Sequence, residues 1–157
     1  MEVSVLIEKK YKRKIDEAWL RHVVNQTLSA EGIESEAEVS LVITSQEKIR
    51  ELNLTYRQID EPTDVLSFGM MPESSSESGL PFVTAPDGFR HLGEVIISYP
   101  QAETQAEEHH HSLKTELATL IIHGLLHLLG YDHVKVEDKL RMEARETEIL
   151  RRVGEKL

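Results

Sequence analysis

The stretch from Ser112 to Gly130 restricts the fold of this chain more than any other. Ser112 can cap a helix, Gly130 can end one, and the residues between are strongly apolar. A helix that is apolar over most of its surface is stable only when other elements cover it. It therefore takes a central place, and the rest of the chain must supply the cover. The same helix carries His123 and His127, one turn apart, and His133 follows just beyond Gly130.

Around that helix the hydrophobic periods spell out short alternating elements. Val3, Val5 and Ile7 alternate as in a half-buried strand, and Val39, Leu41 and Ile43 do the same within Glu38 to Thr44. Asp16 is placed to cap a helix bearing Trp19, Leu20, Val23, Val24 and Leu28, closed by Gly32. Thr44 or Ser45 caps a second helix with Ile49, Leu52 and Tyr56 as its apolar stripe, and Thr44 with Glu47 fits a capping box. Pro62 stops that helix, after which residues 65–68 and 92–98 read as two further strands. Residues 72–90, with Pro72, Pro81, Pro86 and clustered serines, form a long hairpin-like surface excursion. A short helix from Pro100 to Glu108 precedes the central one, and a last amphipathic helix spans residues 136–153 with Leu140, Ala144, Thr147 and Leu150 inward. The expected architecture is α/β (α+β). A small mixed four-stranded sheet packs with about five helices, and a histidine metal site lies at the end of the central helix, within one domain covering 1–157.

The three histidines have the spacing of metal ligands. Positions i and i+4 of a helix share a face, so His123 and His127 can reach one ion. Gly130 can adopt the left-handed conformation that reverses the chain and brings His133 in from a third direction. Core or capping roles would account for one such histidine, or even two. Three, with a glycine at the required turn, indicate an ion held by neutral imidazoles with a fourth position open, as in catalytic zinc sites. Ni2+ or another late first-row divalent ion suits the same ligands. Metzincin peptidases share this spacing, but they keep a glutamate base where Gly124 stands here. Glu116 lies two turns earlier, about 10 Å along the axis, and is not a substitute base. A peptidase is therefore disfavoured on chemical grounds.

Composition removes other classes. The 157 residues include no cysteine, which excludes disulfides, thiolate metal sites and cysteine nucleophiles. No apolar run approaches the ~20 residues of a membrane helix, and the start MEVSVLIEKK lacks the layout of a signal peptide, so a cytoplasmic protein is expected, with no membrane partner. A formal net charge of -10 argues against coating DNA through bulk charge, and no DNA partner is expected.

Two further segments complete the pattern. These are Leu52-Asn53-Leu54-Thr55-Tyr56-Arg57 with Thr63-Asp64-Val65-Leu66-Ser67-Phe68, and Leu92-Gly93-Glu94-Val95-Ile96-Ile97-Ser98. Together with the segment from His123 to His133, they resemble the YbeY family of endoribonucleases over nearly the whole chain. The resemblance implies a metal-dependent RNase that prefers single strands and acts in 16S rRNA 3′-end maturation and ribosome quality control. It implies Zn2+, one per chain, on His123, His127 and His133, with Arg57 functionally important. It also implies single-stranded RNA, the 16S rRNA precursor, the small ribosomal subunit and assembly factors as partners. The family commonly has proline after the strand's phenylalanine, where Gly69 stands here.

The residues themselves leave several roles open. Arg57 can offer its guanidinium fork to a phosphate, or it can pair with Asp60 or Glu61. Asp64 and Glu94 can support a ligand histidine, act as a base, or simply end a strand. Asp132 can support the site or form a turn. The run Lys9, Lys10, Lys12, Arg13, Lys14 can follow a phosphate backbone, with Tyr11 free to stack on a base, or remain a solvated turn. His109, His110 and His111 look like an exposed loop rather than a physiological site, because consecutive side chains do not converge from a helix. The leading reading is an endoribonuclease in which catalysis rests on Arg57 and on His123 and His127 through the ion, with water or a ribose 2′-hydroxyl as nucleophile. The alternative is a ribosome-assembly binding factor with a metal site and incidental hydrolysis.

Overall fold

The computed structural model describes residues 2–33, 37–69, 90–131 and 135–154. Within them the chain runs β1 (Glu2–Ile7), a 3-10 turn (Lys9–Tyr11), α1 (Glu17–Ala30), β2 (Ala37–Thr44) and α2 (Gln46–Arg57). It continues through β3 (Val65–Gly69), β4 (Arg90–Ser98), α3 (Tyr99–Glu108), α4 (Leu113–Leu128) and α5 (Val136–Gly154). The strands form one mixed sheet in the order β1-β2-β4-β3. β1, β2 and β4 are parallel, and β3 lies antiparallel on the edge beside β4. The expected four-stranded mixed sheet and five helices are therefore present.

The two faces of the sheet are covered unequally. Val39, Leu41, Ile43, Val95 and Ile97 point to one side and join the buried faces of α1 and α4 in the main core. Leu66 and Ile96 point the other way and meet Ile49 of α2 in a small second cluster. The central helix α4 is as buried as its sequence requires, with Leu117, Ile121, Ile122, Leu125 and Leu126 almost inaccessible. It approaches the sheet closely because Gly124 has no side chain. A Cβ there would stand 2.7 Å from Cγ1 of Val95 and 3.2 Å from Oγ of Ser67.

Helix ends follow the expected chemistry, with one exception. Asp16 accepts from the Ala18 amide, and Ser112 from that of Thr115. At the start of α2 the cap is Ser45, which accepts from Lys48, while the Thr44 hydroxyl donates to Glu8. The capping box of Thr44 with Glu47 is thus not formed. Two faces differ from expectation. Tyr56 is 63% exposed and tilts against Phe68 instead of entering the core. In α5 the buried positions are Met142, Ile149 and Val153, and Leu150 packs against the core as expected, while Leu140 is 60% exposed. That helix is rotated because its inner stripe also contains Arg145 and Glu146, whose charges meet partners on neighbouring helices. Most of the 72–90 excursion lies outside the described residues, as do Asp132 and His133. Among the described residues no helix is long and apolar enough to cross a membrane.

Candidate metal centre

The last two turns of α4 and the reversal after them carry the candidate centre. Gly130 has φ +99°, and the amides of Gly130 and Tyr131 donate to the carbonyls of His127 and Leu126. These two bonds form the left-handed termination that the sequence calls for. Upstream of it, Nε2 of His123 and Nε2 of His127 face each other at 3.2 Å. Ligands bound at 2.0–2.1 Å to a tetrahedral ion stand roughly 3.3 Å apart, so this pair already has the spacing a shared ion demands. On the other side of the first ring, Nδ1 of His123 lies 2.7 Å from Oε1 of Glu146. A carboxylate there holds the proton on Nδ1 and leaves the Nε2 lone pair facing His127. The two described imidazoles fit a zinc-type ion. The third expected ligand, His133, lies outside the described residues.

A second cluster fastens the end of α4. The Tyr131 hydroxyl donates to Oε1 of Glu31 at 2.5 Å, and Nε of Arg145 donates to Oε2 at 2.8 Å. Arg145 also reaches the Ala30 carbonyl at 3.1 Å. Burial and the Glu31 carboxylate both push the Tyr131 phenol above its ordinary range. The clamp ties α1, α4 and α5 together immediately after the histidine turn.

Arg57 stands at the edge of the sheet. Its Nη2 donates to the Ser67 carbonyl of β3 at 3.3 Å, and the Ser67 hydroxyl donates to the Gly124 carbonyl at 3.1 Å. One serine thus links the arginine to the helical turn that carries His123. Of the two ion-pair partners considered for Arg57, Asp60 goes elsewhere: it is held by Arg50 at 2.7 Å, which keeps its carboxyl below the usual range.

The other candidates sort differently. Oδ1 of Asp64 accepts from the Val65 amide, and Oδ2 accepts from Gln105. Glu94 lines a groove on the opposite face of the sheet with Tyr56, Phe68 and Leu52. Tyr11 is 6% exposed and stacked on Tyr99 at 4.6 Å, so it is not free to receive a base. The histidine loop also departs from expectation. Nδ1 of His109 and Nε2 of His111 lie 2.9 and 2.6 Å from the same oxygen of Glu116. They converge because His110 between them adopts φ 57°, which reverses the chain. Burial pushes the Glu116 carboxyl up, but the donors from His109, His111 and Gln105 outweigh it and leave the group below its ordinary value.

Glu146 is the residue that sequence reasoning missed. It sits 23 positions from His123, and the only trace was a carboxylate in register with Met142, Ile149 and Val153.

A family model described as Endoribonuclease YbeY matches residues 5–154. An Endoribonuclease YbeY from Dehalococcoides mccartyi is 45% identical over 157 residues, covering 99% of this chain and 98% of that protein. Another, from Moorella thermoacetica, is 48% identical over 135 residues, covering 86% of this chain and 85% of its own length. The solution structure of a Thermotoga maritima protein superposes with a TM-score of 0.64 at 28% identity, over 98% of this chain and 90% of that one.

Proposed function

The chain belongs to the YbeY endoribonuclease family and is an RNA-cleaving hydrolase, and we propose that it cuts single-stranded RNA at a centre built on His123, His127, His133 and Arg57. What carries this reading is the facing pair of Nε2 atoms, 3.2 Å apart, with Glu146 on the outer nitrogen of His123. Zn2+ is the ion best matched to neutral imidazoles with an open position, and Ni2+ can replace it in a purified sample. When bound, such an ion polarises a phosphoryl oxygen or acidifies a coordinated water.

The chain's own groups do the rest. Glu146 fixes the tautomer of His123, and the clamp of Glu31, Tyr131 and Arg145 holds the end of α4. Arg57 turns from the Ser67 carbonyl toward a phosphate at the β3 edge and stabilises the charge that develops on its oxygens. Gly124 keeps a side chain out of the space between α4 and β3. The proposal extends to the 16S rRNA precursor as substrate, with maturation of its 3′ end and ribosome quality control as the role. The small ribosomal subunit and its assembly factors are the proposed partners, and the cytoplasm is the proposed location of this one-domain protein.

Single-turnover cleavage of a single-stranded RNA, with affinity measured at matched salt, tests the reading. His127→Ala should abolish cleavage and release the ion from this centre. Arg57→Ala should slow cleavage on the order of 10²–10³ while changing affinity little, by comparison with oxyanion donors. Arg57→Lys should restore little, because an ammonium cannot reproduce the guanidinium fork. Full cleavage by Arg57→Ala would return that residue to the surface, and full cleavage by His127→Ala would remove the centre itself.

A further inference from the structure

We propose that His109, His111 and Glu116 form a second metal site, for a borderline divalent ion such as Zn2+ or Ni2+, independent of the His123–His127 centre. Among the described residues, one ligating atom from each of these three side chains lies within 4.8 Å of the other two. Glu116 is seven residues before His123 on α4, about 10 Å along the axis, so one ion cannot serve both places.

Four observations bear on the site. The anionic ligand is prepared in advance: the Glu116 side chain is 2% exposed, and its second oxygen accepts from Nε2 of Gln105 at 3.0 Å. Gln105 also reaches Asp64 at 3.3 Å, so the carboxylate is oriented by a polar network reaching the start of β3. The two imidazoles are brought together by the left-handed backbone conformation of His110. His110, exposed and at φ 57°, also ends α3, with the His111 amide donating to the Ala106 carbonyl at 3.1 Å, so one helix termination sets both imidazoles toward Glu116. The site is also open to entry. The His109 and His111 side chains remain 54% and 32% exposed, and a surface groove runs past His111 between Glu103 and Glu107, whose charge attracts cations.

The donor chemistry selects the ion. Two imidazoles and one carboxylate form a known zinc ligand set, whereas Mg2+ and Ca2+ favour oxygen ligands throughout. The present nitrogen–oxygen separations of 2.9 and 2.6 Å need to open by less than about 1 Å to reach the roughly 3.3 Å between ligands on a tetrahedral ion. The ring protons that now face Glu116 shift to the opposite nitrogens as the ion enters. Bound there, the ion clasps the turn between α3 and α4 onto the first turn of α4.

Counting ions in tag-free, chelator-stripped full-length protein tests the proposal. Co2+ titration followed in the visible, with Zn2+ calorimetry alongside, gives the stoichiometry. Wild type should take up two ions, and His109→Gln/His111→Gln should take up one. His123→Ala/His127→Ala should keep one, and the variant combining all four changes should bind none. Both histidines of the proposed site are solvent-accessible, and circular dichroism confirms that the variants are folded. Equal uptake by wild type and by folded His109→Gln/His111→Gln would overturn the second site. A single ion lost only through the His109 and His111 changes would support it while sinking the centre proposed above.

Discussion

In the proposed centre, Glu146 at 2.7 Å from Nδ1 of His123 turns Nε2 toward His127, and so it would tune the affinity for an ion it never touches. Replacing it by glutamine keeps an acceptor near Nδ1 but removes the charge that makes the imidazole a better donor. Supporting residues of this kind typically contribute 10–100-fold to metal affinity. We therefore expect Glu146→Gln to weaken Zn2+ binding at the His123–His127 centre by about that factor, with the fold intact. Competition against a chelator of known affinity measures it, and unchanged affinity would reduce Glu146 to a surface partner. The facing of His123 and His127 on α4 was legible because helical spacing places i and i+4 together, whatever the tertiary structure. Glu146 was not, since nothing local to His123 specifies which residue of another helix will cross it. The convergence of His109 and His111 was hidden for a related reason: it depends on one backbone angle at His110, and the residue there is not glycine.

The helix–sheet contact at Gly124 has a consequence for α4 as an element. Alanine is about 1 kcal/mol better than glycine inside a helix, so propensity alone favours Gly124→Ala. Against that, the new Cβ would meet Cγ1 of Val95 at 2.7 Å, and Val95 is fully buried and branched at Cβ. Overpacking of this kind costs about 1–3 kcal/mol, and here it should outweigh the propensity gain. We expect a net loss of up to about 2 kcal/mol by urea denaturation. Equal or higher stability would mean that α4 can lift from β4 without cost. The same contact gives a second reason why a metzincin-like glutamate does not stand at position 124. The ends of α1 and α4 were readable from Asp16, Gly32, Ser112 and Gly130, because caps and left-handed glycines act locally. The rotation of α5 was not. Its inner stripe mixes Met142, Ile149 and Val153 with Arg145 and Glu146, so ranking positions by hydrophobicity selects the wrong phase.

At the scale of the whole molecule, a chain of net charge -10 must bind a polyanion, and the fold limits where it can do so. The sheet order places Arg57 beside β3 at one edge and the basic turn after β1 at the other. Three strand spacings, about 14 Å, separate those edges. The aromatic ring that would have made the turn a base-stacking platform is buried against Tyr99. Two of its cations also lie over aromatic rings, Lys10 at 5.2 Å from Tyr11 and Lys14 at 5.8 Å from Tyr99. The turn therefore serves to anchor β1 against the start of α3, and the proposed reading confines RNA to the β3 edge. That choice is measurable through counterion release, which for single strands lowers log K by about 0.7 per neutralised phosphate for each unit of log salt. Contact confined to the β3 edge gives a slope no steeper than about −1 to −2, whereas adding the five basic residues of the turn would steepen it by up to about 3.5. Neutralising the exposed Lys12, Arg13 and Lys14 together should leave both slope and affinity nearly unchanged. A steep slope in wild type that flattens in the Lys12, Arg13 and Lys14 variant would place the RNA across the top of the sheet, over β1 as well as β3.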